Sequence, residues 1–123
     1  ICIGLQVLFD SSEEDPGIEG LGILKGRCIR FCKSLKVPQI GWNRIRIIRK
    51  SRLFKDVSDD YFYFVHSYYA VPDNRGKVIA TSNYGLDFAA VIEIGNLFAT
   101  QFHPEKSGKV GLKILKNFGD IKC

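Results

Sequence analysis

The run Ile1-Cys2-Ile3-Gly4-Leu5-Gln6-Val7-Leu8-Phe9 constrains this chain more than any other stretch. Apolar residues flank a cysteine, a glycine follows, and a helix-forming segment comes next. That order reads as the end of a buried strand turning sharply into a helix. In such an elbow the reactive side chain sits exposed on the bend, and the next backbone N–H, here that of Ile3, points at a developing oxyanion. A strand of this kind needs neighbours on both sides, so the bend predicts an α/β sheet domain. The first helix is expected from about Ile3 to Ser12, and the partial positive charge of its first turn is expected to favour the thiolate.

Far along the chain comes Gln101-Phe102-His103-Pro104-Glu105-Lys106. Thiolate, imidazole and carboxylate together are the set needed for acyl transfer through a thioester. The thiolate attacks a carbonyl, the imidazole takes and returns a proton, and the carboxylate fixes the imidazole tautomer. Cys2 therefore reads as nucleophile and His103 as general acid and base. Pro104 fixes one backbone angle between His103 and Glu105, and the spacing lets the carboxylate reach the second ring nitrogen. Each residue also has a plainer reading: a buried strand cysteine, a satisfied histidine, and an acid near the start of a helix.

Between the two motifs the chain is rich in β-formers separated by turn residues. Strands are expected at Arg27 to Cys32, Gln39 to Lys50, Tyr61 to Val65, Lys77 to Ser82, Phe88 to Glu93 and Leu97 to Phe102. Pro16-Gly17, Pro72-Asp73-Asn74-Arg75-Gly76 and Glu93-Ile94-Gly95-Asn96 mark loops and turns. Val110, Ile114, Leu115 and Phe118 make an apolar stripe that predicts a closing helix from Ser107 to Phe118.

The elbow and the His-Pro-Glu run, in that order, resemble the class I (triad-type) glutamine amidotransferases, whose motifs are G-x-C-x-G-x-Q and H-P-E. Val37-Pro38-Gln39-Ile40-Gly41-Trp42-Asn43, Tyr63 through Tyr69 and Gln101 through Ser107 extend the resemblance over nearly the whole chain. They bring it nearest to the family's histidine-pathway glutaminases. The resemblance implies the carboxy-terminal portion of a flavodoxin-like α/β domain, with an elbow helix, mostly antiparallel strands and a final helix, all 123 residues forming one partial domain. It implies hydrolysis of L-glutamine with Cys2, His103 and Glu105 as the triad, and substrate contacts from Ile3, Gln6, Glu14, Ser67 and Tyr68. It also implies transfer of ammonia to a cyclase or synthase partner with a (β/α)8 barrel in a heterodimer, through an interface including Gln39, Trp42, Asn43, Tyr63 and Lys106. Gln39 stands where the family usually has His. No cofactor is implied.

The chain contains no methionine and opens inside the elbow, which predicts further sequence upstream carrying more strands and a glycine-rich loop with the second oxyanion donor. A sheet lacking those strands is expected to fold poorly alone. Two other readings stay open: a paralogue feeding ammonia to another synthase, such as one amidating a surface-polysaccharide sugar, and a catalytically inactive fragment.

Composition excludes other classes. The content of 46% hydrophobic residues suits one globular core. The net charge of +5 is spread out except at Arg44, Arg46, Arg49, Lys50 and Arg52, where interleaved isoleucines read as the exposed face of a strand. No nucleic-acid-binding signature accompanies the cluster, so no nucleic-acid partner is expected. Cys28 and Cys32 lack the second close pair that a zinc site requires, and no metal is expected. Cys28, Arg30 and Cys32 would share one strand face, and Cys123 reads as inert. No signal peptide and no long apolar run is read in these residues, so no membrane partner is expected, and a nucleophilic thiol suits the reducing cytoplasm.

Overall fold

A computed structural model describes residues 1–122; Cys123 and the expectation attached to it lie outside them. The chain runs through α1 (Ile3–Gln6), β1 (Phe9–Ser12), β2 (Leu24–Arg30), β3 (Gln39–Ile47), β4 (Tyr61–His66), β5 (Tyr68–Pro72), β6 (Val78–Asn83), β7 (Asp87–Ile94), β8 (Leu97–Thr100) and α2 (Gly108–Asp120). The strands form two sheets, one of order β1-β2-β5 and one of order β4-β3-β6-β7-β8. Only β1 and β2 pair in parallel; the other pairings are antiparallel. No helix among the described residues is long and apolar enough to cross a membrane.

Three expectations are corrected. The first helix stops at Gln6, and Phe9–Ser12 is a strand. The Asp10 carboxylate accepts from Lys25 Nζ at 2.9 Å and from Gly26 N at 3.0 Å, pinning the segment beside β2 and overriding its local helical preference. Cys2 N–H donates to Thr100 O at 2.7 Å, which ties the elbow to the end of β8. Tyr68–Pro72 is a further strand, antiparallel to β2. β2 ends at Arg30, so Cys28 is buried within it while Cys32 lies exposed beyond it.

Two apolar clusters hold the elements together. The larger is aromatic, with Phe31, Phe54, Phe62, Phe64, Tyr69, Phe88 and Phe102 packed around Ile45, Val91 and Ile114. Each such ring contributes about 2–3 kcal/mol by leaving water. The second cluster gathers Leu5, Phe9, Leu24, Cys28, Ala70, Ala89 and Ile92, and so seats the elbow helix on both sheets. α2 packs close to the turn that precedes it, because a Cβ on Gly111 would meet Pro104 O at 1.9 Å. That contact fixes the turn carrying His103 and Glu105.

Candidate active site

Cys2 occupies the bend ahead of α1 with φ 51° and ψ −109°. A non-glycine residue pays about 1–3 kcal/mol for such a conformation, and it persists only where the surroundings hold it. Here Gly4, Leu5 and Gln6 close the turn behind it through N–H bonds to Ile1 O and Cys2 O. Gly4 itself is under no steric demand, since a Cβ there would meet nothing within 4 Å.

The nucleophile and base candidates are held along one strand edge. Cys2 Sγ lies 3.6 Å from Val65 O, its thiol hydrogen directed at that carbonyl, and His103 N–H donates to Tyr63 O at 2.9 Å. Val65 and Tyr63 are two residues apart on β4, so their carbonyls face the same way about 6–7 Å apart. The structure thus anchors both residues to one strand edge, Cys2 by its thiol and His103 by its main chain, without a direct hydrogen bond between their side chains. His103 Nδ1 meets Glu105 Oε1 at 2.8 Å, the spacing expected of a base and its orienting acid. Nε2 has no partner among the described residues.

Electrostatics correct one expectation. Burial pushes the Cys2 thiol above its ordinary value; the Ile3 N–H and the Gln101 amide pull it down, and the Glu105 charge adds to the rise. The net shift is upward, against the expectation that the first helical turn would favour the thiolate. A single helical turn supplies too few aligned peptides to offset the lost hydration. For Glu105, burial acts upward, but the His103 hydrogen bond and positive neighbours outweigh it and hold the carboxyl below its usual range.

The remaining predicted residues fall into distinct places. Gln6 is buried, and its Nε2 donates to Tyr68 O at 2.9 Å and to Gln101 Oε1 at 3.2 Å. Glu14 lines a cavity of about 360 Å³ with Ile3, Gln6 and Ser12, whereas its neighbour Glu13 is occupied in accepting Arg30 N–H at 2.9 Å. Ser67 O accepts the Phe31 N–H, and the Tyr68 carbonyl faces inward towards Gln6. A larger groove of about 1180 Å³, lined by Arg49, Lys50, Phe54 and Asn117, contains none of these residues, so size alone does not locate the chemistry.

The five proposed interface positions do not share a face. Trp42 and Tyr63 are paired across β3 and β4 with ring centroids 6.0 Å apart, flanked by exposed Ile40 and Tyr61, and Lys106 is exposed on the turn before α2. Gln39 and Asn43 are on the opposite face of β3. Gln39 is buried against His66, and Asn43 Nδ2 donates to Asn83 O at 2.7 Å. The period of two makes this unavoidable, since Trp42 and Asn43 are consecutive.

Sequence reasoning missed three participants. Ser107 donates to His103 O and accepts Tyr63 N–H; Gln101 reaches the sulfur; His66 is buried among Phe31, Phe64 and Phe88. Gln101 and Ser107 bracket the His-Pro-Glu motif, which was the available signal. Burial lowers His66 to about 4, its bond to Tyr68 O acting upward and the His103 charge further downward. Cys28 is pushed up to about 12 by burial, with Glu14 nearby, and is no second nucleophile. Among the described residues no three His, Cys, Asp or Glu side chains gather as a metal site.

Comparison with known proteins agrees with this arrangement. The family model described as glutamine amidotransferase class-I matches residues 1–121. A protein of Methanothermobacter thermautotrophicus named imidazole glycerol phosphate synthase subunit HisH is 52% identical over 121 residues, covering 98% of this chain and 61% of its own length. A protein of the same name from Methanocaldococcus jannaschii is 50% identical over 122 residues, covering 98% of this chain and 62% of its own. The chain therefore spans about 60% of the length of the curated relatives it matches. A crystal structure described as glutamine amidotransferase superposes with a TM-score of 0.64 at 20% identity, over 96% of this chain and 58% of that one, which is a likeness of fold. An elbow cysteine strained into the left-handed region, a His–Glu pair beside it and these matches together place the chain in the class I glutamine amidotransferase family.

Proposed function

We propose that this chain carries the glutaminase chemistry of an imidazole glycerol phosphate synthase, releasing ammonia from L-glutamine in the cytoplasm for a partner synthase of histidine biosynthesis. The observation that supports this reading is the shared β4 edge, to which the Cys2 thiol and the His103 main chain are both bonded while Glu105 holds the His103 ring. His103 accepts the thiol proton, and the sulfur attacks the side-chain carbonyl carbon of glutamine. The Ile3 N–H faces the oxyanion, and His103 returns its proton to the leaving nitrogen as ammonia departs. Water, deprotonated by the same imidazole, then cleaves the glutamyl thioester, releasing glutamate and restoring the thiol. Glu14 is suited to the substrate ammonium, and main-chain groups around Ser67 and Tyr68 to its carboxylate, with Gln6 shaping the floor.

Ammonia is protonated and lost as a nucleophile in bulk water, so it must pass directly to a second active site. The stripe of exposed Ile40, Trp42 and Tyr61 and half-buried Tyr63, with Lys106 beside it, is the surface we assign to a (β/α)8-barrel partner in a heterodimer. Exposed aromatics grouped beside a catalytic edge are what a protein interface uses as anchors.

The test is labelling of the intact protein with a glutamine-analogue electrophile, together with glutaminase assays with and without the barrel cyclase. Labelling at Cys2, loss of activity in Cys2→Ser and stimulation by the cyclase's ribonucleotide ligand are expected. Absence of labelling overturns the glutaminase reading. Labelling with indifference to the cyclase and its ligand overturns the histidine assignment in favour of another synthase.

A further inference from the structure

Gln101 is fully buried, and its side chain spans the gap between Gln6 and the sulfur of Cys2. An amide side chain can face either way, but here its sense follows from a main-chain carbonyl. Tyr68 O can only accept, so the Gln6 atom 2.9 Å from it is the amide nitrogen. The second hydrogen of that nitrogen points at Gln101, 3.2 Å away, so the Gln101 atom there is the oxygen. The Gln101 nitrogen is then turned to Cys2 Sγ at 3.6 Å, as a donor.

The same carbonyl orders a second branch. His66 Nδ1 lies 2.7 Å from Tyr68 O and must carry its hydrogen there. The buried ring is neutral, with its pKa lowered to about 4, so Nε2 is bare. Gln39 Oε1 lies 2.8 Å from that nitrogen, and since two acceptors cannot bond, the amide is assigned the turned sense, with its N–H towards the ring. Both lone pairs of Tyr68 O are filled, and each amide in the chain has one permitted sense.

We propose that Gln101 is a positioning residue that presents an N–H donor to the Cys2 sulfur, and that its amide is locked in that sense by the buried hydrogen bonds running through Gln6, the Tyr68 carbonyl and His66 to Gln39. The proposal deepens the glutaminase reading and rests on it for its catalytic meaning. The donor acts when the thiol hydrogen leaves Val65 O for His103, because the sulfur then gains charge with few other donors around it. A charge-assisted bond to sulfur favours that state and keeps the attacking lone pair at a fixed angle. The network also explains Gln39. Its length lets it reach His66 from the start of β3, so the relay ends under the strand that carries Trp42 on its other face.

The charged and titratable groups facing Cys2 are Glu105, from the turn after β8, and its partner His103. None of these is altered by Gln101→Leu. The experiment follows iodoacetamide alkylation of Cys2 against pH in the intact protein, with neither glutamine nor partner present. It therefore reads the sulfur whatever the substrate proves to be. Gln101→Leu and Gln101→Glu are expected to slow alkylation at pH 7.5 about tenfold and to raise the titration midpoint by about one pH unit. Gln39→Leu is expected to give a smaller change in the same direction.

A second measurement needs no core variant. In protein labelled with nitrogen-15, the Gln101 side-chain amide resonances are expected to titrate with the alkylation midpoint and to stop titrating in Cys2→Ala. Unchanged midpoints in folded Gln101 variants, or amide resonances blind to the thiol titration, overturn the proposal. If alkylation behaves as expected but glutamine is not hydrolysed, the positioning role stands and the glutaminase reading fails.

Discussion

Ser107 donates its hydroxyl hydrogen to the His103 carbonyl at 2.6 Å and accepts the Tyr63 N–H at 3.0 Å, while Tyr63 O takes the His103 N–H. One serine therefore closes a ring that fastens the base to β4. Ser107→Ala leaves the part-buried Tyr63 N–H without its partner and the His103 carbonyl with only the Lys106 N–H, and a loss of about 1–2 kcal/mol is expected. A denaturant midpoint unchanged from the parent would show that the ring is not needed to hold the turn.

Glu105 poses the opposite case. Its pair with His103 is part-exposed, with side chains 21% and 46% accessible, so it adds less than about 1 kcal/mol to stability. In the proposed reaction its part is to hold the ring tautomer. Glu105→Gln is expected to cut kcat for glutamine about 100-fold or more while leaving the thermal midpoint nearly in place. Equal losses in both measurements would mark the carboxylate as structural.

His66 governs the acid limb of the stability curve. Its folded pKa is lowered from 6.5 to about 4 by burial, so the unfolded chain binds a proton that the folded one refuses. The neutral ring's full stability is present above about pH 6.5 and is lost as pH falls towards 4, amounting to roughly 3 kcal/mol. His66→Gln is expected to flatten this part of the profile, as read by chemical denaturation at several pH values. A profile as steep as that of the parent would assign the acid loss to other groups.

Trp42 is 55% exposed and packs chiefly on Tyr63. Trp42→Ala is expected to change stability by no more than about 0.5 kcal/mol yet weaken association with the barrel partner at least tenfold. Calorimetric titration gives the second number. Unaltered affinity would move the interface off this stripe.

Ile3, Val7 and Ile18 line one cavity and leave much of their surface in water, with Leu21 and Ile23 exposed nearby. A patch of this kind promotes association. The 123-residue chain by itself is expected to self-associate at micromolar concentration. Sedimentation as a monomer with a cooperative thermal transition would contradict this.

Much of this architecture was legible where local chemistry and long-range pairing agree. The elbow at Cys2, the turn at His103 and the closing helix announce themselves through glycine, proline and a regular apolar stripe. β1 did not, because Leu5 through Phe9 favours helix and only the distant Lys25 and Gly26 draw Asp10 into a strand. β5 was hidden by Pro72 at its end and by its closeness to β4, from which Ser67 alone divides it. The upward pull on the Cys2 thiol was hidden for a similar reason: the motif shows the turn, while burial comes from residues far away in the chain. Gln39 looked like a surface residue because its neighbours are, and only the strand alternation turns it inward.

β4 presents aromatic side chains outward and offers its edge carbonyls to both Cys2 and His103. A slip of one residue against β3 would turn Phe62, Phe64 and His66 out to water and, in the same movement, unhitch sulfur and imidazole. Changes in the connecting segment 48–60 that shift this alignment would thus surface as lost turnover, although they lie many residues from either reacting group.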